Sequence, residues 1–358
     1  MPNLPTIDIA FKALASSVVS RSERGEVILI LSGSETLDGY REYATLAEAV
    51  EDDITSYGDA ESIYRKISDV FRSAVAKVVL YIVEEGQSIK DVLSNIKINH
   101  KPCWIYADNT FTNELVSFVK EMEIKKQYYK ACVCGANAPN SKHVVNIGNT
   151  GKVVIDTLEG EQPASAVTTI VVGMLAAANV QNGVTGAIVP GVEKVIGETL
   201  DEETAVNSGR MLLVNARNGV KISVGINSAT EGTPEDMRYI ENVEVTDMIS
   251  DDVTELFEKE YQGKCKNSLD NQMLFLSAIN GYFEQLEIEE ILDSEYNNSV
   301  KIDIEAQRKA WIAAGTTEAA GWSDDVVRAR SFKRTVFLAG DIKILNTIDS
   351  LKFAVALA

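Results

Sequence analysis

The sequence predicts an α/β fold, on three observations. Apolar runs alternate with amphipathic segments from Val27 to Ile147, a hairpin signal follows at Asn218-Gly219, and both chain ends alternate apolar with polar residues. Strands that alternate with helices at this spacing argue for a largely parallel sheet layered with helices.

Taken in order, Leu4, Ile7, Ile9 and Phe11 alternate with Pro5, Asp8 and Lys12, and Pro2 and Pro5 oppose a helix, so an extended N-terminal arm is expected. EVILILSGS carries an apolar strand at Val27–Leu31 closed by a Gly/Ser turn, and two helices separated near Gly58 follow it. Lys77–Val83 reads as a buried strand, Ser88–Ile98 as a helix and Cys103–Tyr106 as a strand. Thr112–Lys125 reads as a helix with Leu115, Val116, Val119 and Met122 on one face, before strands at Tyr128–Cys134 and His143–Ile147. The apolar run Ala164–Val180 falls short of the roughly 20 residues of a membrane span and lacks Lys/Arg or aromatic anchors, so it is expected to be a buried helix on the sheet.

After Gly209, two strands joined by Asn218-Gly219 predict a tight hairpin. Thr246 or Asp247 is expected to cap a helix that runs to Tyr261 and stops at Gly263, and Asp270–Leu286 predicts another. The closing residues, VFLAGDIKILNTIDSLKFAVALA, predict at least one long alternating strand.

Composition narrows the function. The 358 residues carry 34 Lys+Arg against 53 Asp+Glu, a formal net charge of −19 that repels nucleic acid and anionic membranes, so neither is expected as a partner. Two histidines, His100 and His143, leave little material for a zinc site or a His-based triad. Cys132 and Cys134 point to one face if they lie on a strand, but a metal would need two more ligands, and none is expected. No cationic stretch precedes a cleavable apolar run at the N-terminus, so cytoplasmic synthesis and residence are expected.

Chemistry-bearing motifs fail on inspection. After Gly135 and after Gly148 the Lys and hydroxyl positions of a phosphate loop are wrongly filled, so no nucleotide is expected as cofactor. There is no Gly-x-Ser-x-Gly, His-Glu-x-x-His or calcium loop, and Asp52/Asp53, Asp251/Asp252 and Glu289/Glu290 sit side by side rather than converging. No catalytic residue is assigned. An apolar alternating arm carries unpaired backbone groups, so both ends either fold back into their own sheet or add strands to neighbouring copies.

Leu4–Lys12 (LPTIDIAFK) with Arg21–Gly25 (RSERG), Gly225–Thr230 (GINSAT), Tyr261–Ser268 (YQGKCKNS) and Arg334–Ala356 resemble, in this order, segments of contractile tail sheath proteins of bacteriophages and R-type bacteriocins. The Tyr261–Ser268 stretch is similar to that family's Tyr-x-Gly-Lys-x-x-Asn segment. The resemblance implies a core domain with extended strand arms and an inserted outer α/β domain. The divisions are an N-terminal arm at 1–22, an outer domain at 23–235, a core at 236–340 and a C-terminal arm at 341–358.

It also implies a structural subunit rather than an enzyme, polymerising as stacked hexameric rings around an inner tail tube, with baseplate and tail terminator proteins as further partners. Contraction from a metastable extended state would drive the tube through a cell envelope, as part of a virion tail or a released tail-like particle, with no cofactor. The inter-subunit arms would be carried by Leu4, Ile7, Ile9 and Phe11 and by Ile342, Ile344, Leu345, Leu351, Phe353 and Val355, with hinges at Ala15–Ser20 and Ala339–Gly340. Arg328, Arg330, Lys333 and Arg334, after a helix begun near Ser323, are the candidates to face the tube. The alternative is a cytoplasmic α/β enzyme or small-molecule-binding protein with its site at the carboxyl ends of the central strands.

Overall fold

A computed structural model of the chain describes residues 25–54, 57–178, 180–197 and 201–355. The N-terminal arm expected at Leu4, Ile7, Ile9 and Phe11, and the hinge at Ala15–Ser20, lie outside the described residues. The described chain divides into two compact units, one of residues 245–346 and one of 25–244 with 347–355.

In the larger unit, β1 (Glu26–Gly33), β2 (Arg41–Tyr43), β3 (Lys77–Glu84), β4 (Trp104–Ala107), β5 (Lys130–Cys134) and β6 (Val144–Ile147) form a six-stranded sheet in the order β2-β3-β1-β4-β5-β6. All neighbours are parallel except the short edge strand β2, as the strand-helix alternation predicts. Val27–Leu31 and Val78–Val83 are buried without interruption because both faces of the sheet are covered. The two-residue period sorts them. Val27, Leu29 and Leu31 enter one apolar layer, while Ile28 and Ile30 enter the other with Leu115, Val119 and Met122.

The covering helices are α1 (Leu46–Glu51), α2 (Ala60–Val70), α3 (Lys90–Asn99) and α4 (Thr112–Ile124). The apolar run after Pro163 forms a 3-10 turn at Ala164–Val167 and then α5 (Thr168–Ala177), which packs on α2 and the sheet. Gly173 is the contact point with α2, where a Cβ would stand 2.6 Å from the Val70 carbonyl oxygen. A smaller sheet, β8-β7-β9, follows from β7 (Val153–Asp156), β8 (Gly160–Pro163) and β9 (Val192–Ile196), and α6 (Glu202–Asn207) precedes the hairpin.

That hairpin, β10 (Leu213–Ala216) and β11 (Gly219–Ile222), exists as expected, but its turn is different. Arg217 and Asn218 are the central residues and neither takes a positive φ. Gly219 alone does, at 123°, because the left-handed residue comes after the turn instead of within it.

A second correction concerns α7, which spans Ile240–Leu256 and not a start at Thr246 or Asp247. Buried Ile240, Val243 and Val245 extend its apolar face upstream. Its first turn is held in place from outside the helix. The Ile240 N–H donates to the Gly225 carbonyl, and the Asn242 amide donates to the Asp236 carbonyl. One π-helical turn, Phe257–Tyr261, ends it before Gly263, which takes φ of 72°.

In the smaller unit, α8 (Leu269–Ile288) starts on the hydroxyl of Ser268 and buries Phe275, Ile279, Tyr282, Phe283 and Leu286 on one face. The strand β12 (Ser299–Ile302), helices α9 (Ile304–Ala313) and α10 (Asp324–Ala329), and the strand β13 (Leu338–Asp341) complete it. The long C-terminal strand expected from the sequence is therefore only four residues of regular ladder plus one bridge, Leu292 to Ile344. Beyond it, alternation has no partner strand among the described residues on which to form a ladder.

Candidate assembly interface

β12 and β13 pair antiparallel, with Ser299 opposite Asp341 and Ile302 opposite Leu338. The outer side of Val300 is already engaged. Its N–H donates to Asn280 Oδ1 at 2.8 Å and its carbonyl accepts from Asn280 Nδ2 at 3.2 Å, from helix α8. Val300 and its partner Gly340 thus point away from each other, and the alternation of the ladder carries outward from β13 the backbone groups of Leu338, Gly340, Ile342 and Ile344.

The inward groups continue to be used past the ladder. The Asp293 N–H donates to the Lys343 carbonyl, the Lys343 N–H to Asn298 Oδ1, and the Leu345 N–H to the Ile291 carbonyl. One side of residues 338–345 is zipped to its own unit. The other side makes no backbone hydrogen bond with a described residue. Ala339 and Gly340, expected as a hinge, lie inside this paired segment, and Ile342 and Ile344 are half-buried in it.

After Leu345 the chain is tied at Thr347, whose hydroxyl donates to Glu241 Oε2 at 2.7 Å and whose N–H donates to Glu241 Oε1 at 3.4 Å. The apolar residues that follow are then out in water. Ile348 is 95% exposed, Leu351 87%, Phe353 81% and Val355 67%. Leu351, Phe353 and Val355 share one side of an extended chain by their spacing, which is the pattern of a strand waiting for a sheet.

The basic candidates also receive a location. Ser323 caps α10, and Arg328, Arg330, Lys333 and Arg334 are all exposed. Arg328 pairs with Asp325 at 3.0 Å, Arg330 lies 4.4 Å from the Trp322 ring centroid and Lys333 lies 5.3 Å from that of Phe332. Their backbone is clamped from behind. The Gln307 amide donates to the Val327 and Arg330 carbonyls, and Trp311 Nε1 donates to the Arg330 carbonyl at 3.0 Å. The Asn267 amide reaches the carbonyls of Phe332, Lys333 and Thr335 at 3.2–3.3 Å.

Asn267 and Asn280 are residues the sequence reading assigned no task. Asn267 was visible as the last position of Tyr-x-Gly-Lys-x-x-Asn. Asn280 gave no signal, since a lone Asn in a helix usually faces solvent.

Elsewhere polar groups serve the larger unit's own packing. Asp108, at the carboxyl end of β4, accepts from the Ser32 N–H at 2.7 Å and Lys66 Nζ at 2.6 Å. Arg72 bridges Asp69 at 2.8 Å and Asp156 at 2.6 Å. Burial pushes Asp69 up to about 6, against the pull of Arg72 and the Thr169 hydroxyl. Burial also opposes ionisation of Asp156, but Arg72 and the N–H groups of Leu158 and Glu159 hold it below the usual carboxylate range. Cys132 and Cys134 do face one layer, and burial raises both thiols. Among the described residues, no group of three or more His, Cys, Asp or Glu is placed to hold a metal, and no helix is long and apolar enough to cross a membrane.

Residues 232–358 match the family described as the phage tail sheath C-terminal domain. The chain is 26% identical over 372 residues, 99% of each chain, to the tail sheath protein of Clostridium phage phiCD119. Its fold is similar to that of the sheath tail protein of Listeria innocua, with a TM-score of 0.66 at 12% identity over 94% of this chain and 100% of that one. It is also similar to the helical sheath of the anti-feeding prophage in its contracted state, with a TM-score of 0.66 at 14% identity over 93% of both chains.

Proposed function

We propose, from its similarity to tail sheath proteins, that this chain is the subunit of a contractile sheath. The observation that carries the assembly mechanism is the edge at residues 338–344, hydrogen-bonded on one side and without a partner among the described residues on the other, followed in sequence by an exposed alternating segment at 348–355. A backbone edge of that kind is satisfied by an added strand, and a strand supplied by the next copy makes a directional contact that repeats.

The arm that leaves the subunit is Ile348 onward, because residues up to Leu345 and Thr347 are bonded at home. Its freedom to change direction begins after Thr347. Backbone pairing is indifferent to small rotations of the rigid units it links, so such arms can keep subunits connected while rings turn and compress. The energy of contraction is packing energy stored in a kinetically trapped extended lattice. Stacked six-membered rings around an inner tube, anchored toward a baseplate and closed by a terminator, follow from the family resemblance, with assembly in the bacterial cytoplasm.

The basic segment Arg328–Arg334 is the proposed tube contact. It is exposed, held rigid by Asn267, Gln307 and Trp311, and stands out in a chain of net charge −19. Screened ion pairs of this type are weak enough to break during contraction.

The test is negative-stain electron microscopy of the full chain beside a chain ending at Asn346, which leaves the home ladder intact. Hollow tubes from the first and dispersed subunits from the second support strand-linked assembly. Compact particles from both would overturn it and favour the small-molecule-binding alternative.

A further inference from the structure

The parallel strands give the larger unit's sheet two unlike ends. Where β4 and β5 begin, α3 and α4 finish, and the register Trp104 to Lys130 puts the two helix ends side by side. There Ile98 is 79% exposed and Ile124 84%, flanked by exposed Lys97, Lys125 and Lys126, and the exposed carboxylate beside them, Glu121, is paired with Lys125, so the end stays net basic. Lys126 takes φ of 58°, a left-handed conformation that favours glycine. Lysines at helix carboxyl ends complement the helix dipole, but the dipole gives no reason for two isoleucines in water beside them.

The opposite end is acidic. Glu35 and Asp38 follow β1, and Glu84 and Glu85 close β3, all exposed and none in an ion pair among the described residues. The two turns are knitted into one surface, since the Glu85 N–H donates to the Gly33 carbonyl and the Leu37 N–H to the Ile82 carbonyl, each at 3.0 Å.

We infer that the Lys97/Ile98/Ile124/Lys126 end of one copy seats on the Glu35/Asp38/Glu84/Glu85 end of a second copy, a contact separate from the strand arms. It rests on the reading that the chain polymerises. The two ends are complementary in charge and lie at opposite ends of one sheet, so like ends repel and unlike ends attract. Such a contact is head-to-tail and repeats without closing on itself, as a helical polymer requires. A second copy is the occupant because it presents the complementary acidic end in fixed geometry. Seating it also removes the two isoleucines from water.

The test uses the full chain as two charge-reversed variants, Lys97→Glu with Lys126→Glu, and Glu35→Lys with Glu84→Lys and Glu85→Lys. Polymer mass is read by sedimentation at low salt, with circular dichroism to follow the fold. Each variant alone is expected to lose polymer by about tenfold, and an equimolar mixture to recover it, because each supplies the end that the other now fits. Polymer at the wild-type level from either variant alone, or a mixture that stays dispersed while wild type polymerises, overturns the contact and leaves strand-linked assembly standing. Failure of the wild type itself to polymerise overturns both.

Discussion

The side chain of Asn280 holds the backbone of Val300 from the side opposite β13, accepting its N–H at 2.8 Å and donating to its carbonyl at 3.2 Å. One side chain thereby closes the middle of the β12 edge and leaves β13 as the edge on which a strand can be added. Asn280→Ala strands both Val300 groups, and a loss of about 1–3 kcal/mol in urea-unfolding stability is expected. Tube formation should survive at temperatures where the variant is folded, because the β13 edge is untouched.

Asn267→Ala removes the amide that reaches three carbonyls of the basic segment. The expected outcome is a loss of about 1–2 kcal/mol in stability and faster amide hydrogen exchange across 330–335.

Arg328→Glu with Lys333→Glu leaves both helices and the clamp in place, as both side chains are exposed. Stability should change little, while binding of purified subunits to the inner tube should fall and lose most of its salt dependence. Binding that is unchanged at rising salt would remove these residues from the tube face.

Asp69 gives a pH signature. Its folded pKa of about 6 lies above its ordinary value of 3.8, so the folded state holds its proton more tightly. Its contribution to stability is present below the ordinary value and is lost as pH rises through about 6. Asp156, held low, acts in the opposite sense, stabilising above its ordinary value and losing that effect as pH falls. Asp69→Asn keeps a neutral group at all pH values. Relative to wild type it should gain up to about 3 kcal/mol between pH 4 and pH 7.5, measured by denaturant unfolding at both.

Gly173→Ala drives a methyl group into the Val70 carbonyl, 2.6 Å from the ideal Cβ position. The α2–α5 contact must open, and a loss of about 1–3 kcal/mol in thermal or denaturant stability is expected, with no change in the smaller unit.

The buried sheet of the larger unit was legible because its strands are covered on both faces. Uninterrupted runs such as Val27–Leu31 and Val78–Val83, with helix-period segments between them, leave few other arrangements. What local pattern could not reveal is what depends on a distant partner. The start of α7 is decided by Gly225 and Asp236, which engage Ile240 and Asn242, and so lies upstream of the better local caps at Thr246 and Asp247.

The C-terminal alternation marks a strand-competent segment, yet among the described residues only those that meet β12 or the 291–298 segment form bridges or ladder. Alternation states what a segment can do, and a partner decides whether it does. For the same reason the position of Asn267 was visible in its motif but its clamp was not, and Asn280 gave no signal of its edge cap: an amide's task is set by the carbonyls that tertiary packing brings to it.

The most direct measurement is cysteine cross-linking of assembled tubes from a chain carrying Cys265→Ser, Ile342→Cys and Phe353→Cys under mild oxidation. If the arm of one copy lies along the 338–344 edge of another, denaturing electrophoresis shows a ladder of covalent multimers that disappears with reductant. Tubes that yield only monomer, with the cross-link inside one chain or absent, would contradict strand exchange as the bond that holds the sheath together.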